Sequence, residues 1–231
     1  MLLCGQSNGE WHRWSATAPN RVGVLVSPQY HRKLKMRKYM PYALDNGAWI
    51  SFKKREPYPV DQWREMLRWA RMTGINPLWC LVPDVVANKR ATLENWHRYS
   101  GEAAEYGWPL AFAAQDGMTP NDVPEGASVI FIGGSDDFKY RCLPDFCSAF
   151  KRVHVGRVNE LDALQICKRM GCESADGSGW FKDTRRLSAL EAWLHDDLKE
   201  TPELPLAHDL RPNDPSSATA SKADVERKGK Q

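Results

Sequence analysis

The 231-residue chain has no long hydrophobic run, little net charge and none of the usual metal or phosphate loops, and each shortage removes a class of function. No stretch approaches the ~18 consecutive apolar residues of a membrane span. The opening Met-Leu-Leu-Cys-Gly-Gln-Ser lacks the apolar core of a secretion signal. No membrane partner is therefore expected, and a cytoplasmic protein with six mostly reduced cysteines is. Two cysteine pairs, Cys142/Cys147 and Cys167/Cys172, share a C-x4-C spacing that is wider than structural zinc prefers. Buried thiols are expected there, and no metal. No phosphate-binding glycine loop of the usual kinds occurs, and no cofactor is expected. No internal repeat is detectable. The net charge of +3 says little about partners.

What is present is a series of short apolar runs that end in polar residues. They are Tyr42-Ala-Leu-Asp45-Asn-Gly47, Leu78-Trp-Cys-Leu-Val-Pro-Asp84, Leu110-Ala-Phe-Ala-Ala-Gln115-Asp-Gly117, Val129-Ile-Phe-Ile-Gly133-Gly134 and Cys172-Glu-Ser-Ala-Asp176-Gly177. Each reads as a buried strand surfacing in a carboxylate, an amide or a glycine pair. Met1–Cys4, Val22–Val26 and Arg152–Gly156 read as further strands. Helical spacing is expected over Val60–Thr73, from an Asn88 cap to about Tyr106, over Phe138–Phe150, over Glu160–Met170 behind an Asn159 cap, and from an Asp183 cap to about Leu198. Seven or eight β-then-α units with helical crossovers predict a compact (β/α)8 barrel over residues 1–200, whose C-terminal strand ends would carry the chemistry. Residues 201–231 are rich in Pro, Ser, Asp, Lys and Ala and are expected to form a flexible polar tail.

Charge is patterned although the total is small. His31–Lys38 holds six potentially basic side chains in eight positions, and Lys53-Lys-Arg55 follows. Arg32, Lys33, Lys35, Arg37, Lys38, Lys53, Lys54 and Arg55 are thus candidate phosphate contacts. A solvated basic loop is the bland alternative.

Three carboxylates, Asp45, Asp84 and Asp176, would converge at the barrel mouth. Paired carboxylates around one carbon let a nucleophile and a general acid/base divide the work, as glycosyl transfer requires. Gln115 offers a donor and an acceptor to the edge of a planar heterocycle. Gly133 and Gly134 allow a ligand close to the backbone. His154 and Arg157 add cations near the rim, and Trp49 and Trp180 are candidate ligand contacts just past polar strand ends. Each feature has an ordinary reading as cap, turn or core.

In order and spacing, these motifs resemble the tRNA-guanine transglycosylase superfamily, and more closely its short phage and bacterial DNA-guanine transglycosylases of the DpdA type. Leu44-Asp45-Asn-Gly47-Ala-Trp49 resembles the family's Asp-Ser-Gly-Gly-Phe-Gln segment, which implies that Asp45 is a general acid/base. Val82-Pro83-Asp84 resembles the strand whose Asp binds the exchanged base. Ala114-Gln115-Asp-Gly117 is similar to Val-Gln-Gly-Gly, with Gln115 as base reader. Phe131-Ile-Gly133-Gly134-Ser135 resembles the turn that meets the base through its backbone. Gly171-Cys-Glu-Ser-Ala-Asp176 is similar to Gly-x-Asp-x-x-Asp, whose last Asp is the nucleophile. The likeness spans roughly Tyr42 to Phe181. The family's zinc subdomain is absent, and Gly177-Ser-Gly-Trp-Phe-Lys182 stands where the family has Leu-Pro-Thr-Arg.

The resemblance implies exchange of guanine in DNA for a 7-deazaguanine such as preQ0, through a covalent Asp176–glycosyl intermediate, in host cytoplasm if the chain is phage-encoded. Three alternatives stand beside it. One is the same exchange on tRNA. Another is a metal-dependent hydrolase or lyase with a divalent ion on Asp45, Asp84 and Asp176. The last is a non-catalytic nucleic-acid-binding barrel. A homodimer or a partner protein stays open.

Overall fold

Eight short strands, most of them apolar on both faces, have one economical solution, a parallel sheet covered on both sides and closed so that no edge remains. The computed structural model describes residues 1–5, 9–18, 20–34 and 36–199, with only the backbone of Glu10 and of 196–199. It contains a closed barrel of eight parallel strands in sequential order. They are β1 (Leu2–Cys4), β2 (Val22–Val26), β3 (Tyr42–Leu44), β4 (Cys80–Leu81), β5 (Leu110–Ala114), β6 (Val129–Ile132), β7 (Val153–Val155) and β8 (Ser174–Asp176). Closure comes where β8 pairs with β1, Leu3 lying opposite Asp176.

Seven α-helices are described: α1 (Gly9–Thr17), α2 (Ala48–Lys54), α3 (Val60–Met72), α4 (Lys89–Ala104), α5 (Asp136–Ala149), α6 (Leu161–Arg169) and α7 (Thr184–Lys199). α3 buries Trp63, Met66, Leu67 and Ala70, a stripe at helical spacing that faces the sheet. Asn88 caps α4 by accepting from the Ala91 amide at 3.0 Å, and Asp183 accepts from Arg185 at 2.8 Å. No described helix is long and apolar enough to cross a membrane.

The structure corrects the alternation in two places. Among the described residues, β2 to β3 and β5 to β6 are joined without an α-helix, through single 3-10 turns at His31–Lys33 and Pro120–Asp122. Both connections are rich in prolines and turn residues and lack a helical apolar stripe (Pro28, Pro41, Pro120, Pro124, Gly117, Gly126). A third correction concerns Asn159. Glu160 occupies the cap position of α6, and the Asn159 side chain instead accepts from Gly179 N–H at 2.7 Å and donates to Arg157 O at 3.1 Å.

The barrel interior is filled unevenly. Trp79 occupies it together with Leu3, Leu25, Leu81 and Val129, and Ala43, Ala111 and Ala113 leave it room. Phe131 and His154 pack against the Trp79 ring, with centroids 6.1 and 4.8 Å away. None of the six cysteines is in a disulfide and four are buried; Cys147 and Cys172 are partly exposed, with Sγ atoms 3.7 Å apart.

By internal contacts the chain divides into Met1–Glu191, which holds the barrel, and Ala192–Gln231, of which the end of α7 is described. The segment 201–231, expected as a tail, lies outside the described residues.

Candidate active site

Every polar strand end singled out in the sequence reaches one place. The sheet ladder continues one residue past several strands and fixes the rim: Asp45 N–H donates to Val26 O at 2.8 Å, Gly133 N–H to Ala114 O at 2.9 Å and Gly156 N–H to Ile132 O at 3.1 Å. Inside that rim lies a small cavity of about 100 Å³, lined by Asp45, Asn46, Asp84, Gln115, Gly133, Gly134 and Asp176 over a floor of Leu25, Leu81 and Phe131. It adjoins a larger cleft of about 670 Å³, lined by Ser27, Tyr30, Lys53, Lys54, Asn159 and Lys182 among others. Asp45, Asp176, Trp49 and Arg157 line both. The two carboxylates therefore stand at the junction of a tight polar cavity and an open cationic cleft.

Asp84 is the anchor of the inner cavity. It is buried, and each carboxylate oxygen takes a side-chain amide: Asn46 donates at 2.7 Å and Gln115 at 2.5 Å. Gln115 is held at its other end by Ala87 N–H, at 2.9 Å. Asn46 also donates to Val82 O at 2.9 Å and accepts from Ala48 N–H at 2.8 Å. Burial raises the Asp84 carboxyl to about 6, against the opposing pull of the Asn46 amide.

Asp45 is pushed up to about 7, first by burial and then by the charge of Asp176; the backbone N–H groups of Gly47 and Asn46 oppose the rise. A carboxyl poised near neutrality is suited to giving and taking one proton.

Asp176 rests on a buried relay. Residues two apart on a strand share a face, so Ser174 lies beneath Asp176, and His154 of β7 is the register partner of Ser174. The imidazole Nε2 is 3.1 Å from Asp176 Oδ1 and Nδ1 is 2.8 Å from Ser174 Oγ. His154 is fully buried and lines neither cavity, so it sits beneath the rim where a cation beside the substrate was expected. The cause is the period-2 pattern of β7, which turns the ring inward between Trp79 and Phe131, each 4.8 Å away. Trp180, expected as a candidate ligand contact, is buried and donates to Val158 O at 3.0 Å.

The Gly-Gly turn is held from below. Asp116 accepts from Ser135 N–H at 2.9 Å and from its hydroxyl at 2.5 Å, which curls the chain over Gly134, at φ 69°. A Cβ there would meet Asp116 Oδ2 at 2.4 Å, so only glycine fits. Arg157 donates to Gly134 O and lays its guanidinium 4.0 Å from the Trp49 ring, an approach that suits cation–π attraction.

The basic segments separate. Lys53 and Lys54 line the outer cleft and Arg55 lines a groove beside it. Arg32 is ion-paired to Glu65, Lys33 lies 5.8 Å from the Tyr30 ring, and Arg37 and Lys38 are exposed; none of these four lines either cavity. Lys35 lies outside the described residues. Among the described residues no three His, Cys, Asp or Glu side chains are grouped to hold a metal ion.

No family model matches the chain, and no curated protein does. The arrangement thus speaks through its own chemistry.

Sequence reasoning missed Asn46, the clamp on Asp84, and Ser174, the support of His154. The first had a signal in the Asp45-Asn-Gly47 turn, where an amide beside a left-handed glycine can bond locally. The second had one in the two-residue spacing to Asp176.

Proposed function

We propose that the chain is a base-exchange transglycosylase that replaces guanine in DNA with a 7-deazaguanine of the preQ0 type. One observation carries the reading: Asp45 and Asp176 stand together where a small amide- and carboxylate-lined cavity opens into a cleft edged by lysines. A planar base fits the chemistry of the first space and a sugar–phosphate that of the second, which puts C1′ at the carboxylates.

The reaction is a double displacement. A guanine nucleotide leaves its stack, at a cost of a few kcal/mol in a duplex and less in a single strand. An Asp176 carboxylate oxygen attacks C1′, the C1′–N9 bond breaks, and Asp45 delivers a proton to the departing base. The incoming base then gives its N9 proton back to Asp45, and N9 attacks C1′ as the Asp176 ester opens. Configuration is retained overall, and no electrons change hands. Asp84 accepts from the N–H edge of the base with the lone pairs its amide partners leave, so Gln115 serves mainly to aim Asp84. The Gly133–Gly134 backbone meets the opposite edge. The open sides of Trp49 and Arg157 face the sugar.

Incubation with guanine-containing DNA and, separately, tRNA, each with radiolabelled preQ0, tests the reading. Label in DNA that is indifferent to EDTA is the expected result. Label in tRNA alone keeps the chemistry and changes the substrate. EDTA-sensitive turnover of another substrate, without label, replaces exchange by the metal hydrolase. Nucleic-acid binding that survives loss of all three carboxylates, with no turnover, leaves a binding barrel.

A further inference from the structure

The outer face of α2 carries a feature that base exchange at one nucleotide does not use. Phe52 is 53% exposed, and its ring stacks on Trp49 at 5.6 Å between centroids and 25° between planes. Beyond it a groove of about 680 Å³ runs between α2 and the segment after β4, lined by Phe52, Lys53, Arg55, Tyr58, Val85 and Val86. Val85 is also exposed. Lys53 lines both this groove and the outer cleft, and Val86 and Asp84 line both the groove and the inner cavity, so the three spaces adjoin around α2.

The side chains of the groove, Glu56 and Asp84 among them, point to its occupant. Among the described residues Lys53 and Arg55 pair with no carboxylate. Glu56, the acid beside them, faces Lys54 at 3.8 Å. Arg55 takes the left-handed conformation at the C-terminus of α2, φ 56°, where its N–H closes on Phe52 O at 3.2 Å. An exposed aromatic ring, an apolar wall and two cations in no ion pair, with Glu56 drawn toward Lys54 and Asp84 held by amides, suit a base and its phosphates.

We propose that this groove is a second nucleotide subsite: the base next to the target stacks on Phe52 against Val85, and its phosphates rest on Lys53 and Arg55. The inference rests on the reading that a nucleic-acid strand enters the outer cleft. It adds a physical reason for the aromatic ledge, because removing a base from the stack exposes the face of its neighbour. Phe52 replaces the lost stacking partner and so lowers the cost of flipping.

Single-stranded oligodeoxynucleotides with 2-aminopurine on either side of one guanine provide the test. Wild-type protein is expected to quench one of the two probes, and Phe52→Ala to lose that quench and bind on the order of 5- to 150-fold more weakly. Phe52→Trp should restore both, and Lys53→Ala/Arg55→Ala should flatten the dependence of log K on log salt by about one to two units. Unchanged quenching and affinity in Phe52→Ala, at an unchanged melting temperature, would overturn the subsite, as would failure of wild type to bind the oligonucleotide. Label from preQ0 entering DNA while Phe52→Ala behaves as wild type removes the subsite and leaves base exchange standing. Phe52-dependent binding without label does the reverse.

Discussion

Glu173 and Asp176 belong to the same short segment of chain, three residues apart, and their surroundings are opposite. Glu173 sits just before β8, at the N-terminal end of the barrel, where Arg152 grips both its oxygens at 2.8 and 2.9 Å and also donates to Leu78 O. Asp176 ends β8 at the other mouth, 13% exposed, beside an imidazole and within the field of Asp45. One end of the barrel answers its carboxylate with a bidentate cation, the arrangement that holds a charge still. The other leaves carboxylates close together, and burial raises two of them, Asp45 and Asp84. The first end serves the fold, and the second holds groups that can change state.

Substitutions sharpen that contrast in order of effect. Asp176→Asn is expected to abolish base exchange, by on the order of 10⁴ or more in kcat, with melting temperature and oligonucleotide affinity near wild type; wild-type turnover would remove Asp176 as nucleophile. His154→Gln breaks the relay beneath it. Losing one buried hydrogen bond of about 1–3 kcal/mol predicts roughly a 5- to 150-fold fall in kcat with little change in KM for the free base. A rise in KM with constant kcat would instead return His154 to substrate binding.

Asp45 supplies a test with a sign. Its folded value of about 7 lies above the ordinary 3.8, so between those values the folded chain keeps a proton that the unfolded chain releases. Stability from this group therefore falls as pH rises from about 4 to about 7 and is level beyond. Asp45→Asn should melt with wild type at pH 4 and roughly 2–4 °C higher per kcal/mol relieved at pH 8, by calorimetry. The same proton makes wild-type turnover decline above about pH 7, a limb the variant should lack along with most of its activity. Equal melting temperatures at both pH values would mean that Asp45 is not strained. The smallest effect belongs to the other end of the barrel. Glu173→Gln should cost about 1 kcal/mol or less, since that pair is partly exposed, and leave exchange rates unchanged.

Much of this was readable in advance because it is local. A strand announces itself by composition and a rim residue by where the apolar run stops, so Asp45, Asp84, Gln115, Gly133, Gly134 and Asp176 could be named without coordinates. Asn88 and Asp183 were legible as caps for the same reason, since a cap bonds within three residues of itself. The burial of His154 and Trp180 was not legible in the same way. Both follow polar or apolar signals that give no direction: a histidine within a strand is inside or outside according to register, and a tryptophan past a strand end is ligand contact or core according to what packs over it.

By itself the sequence determined the strand count, the sequential parallel pairing those strands imply, and the set of polar ends, because each depends on spacing along a few residues. It did not determine what each polar end bonds to. Asn46 meets Asp84 across 38 residues and Gln115 meets it across 31, and His154 meets Asp176 across 22. Those meetings exist only once the barrel closes, and so do the burial and the mutual repulsion that lift Asp45 toward neutrality. Hydrogen-bond partners and solvation are properties of neighbours in space, and it is barrel closure that chooses the neighbours.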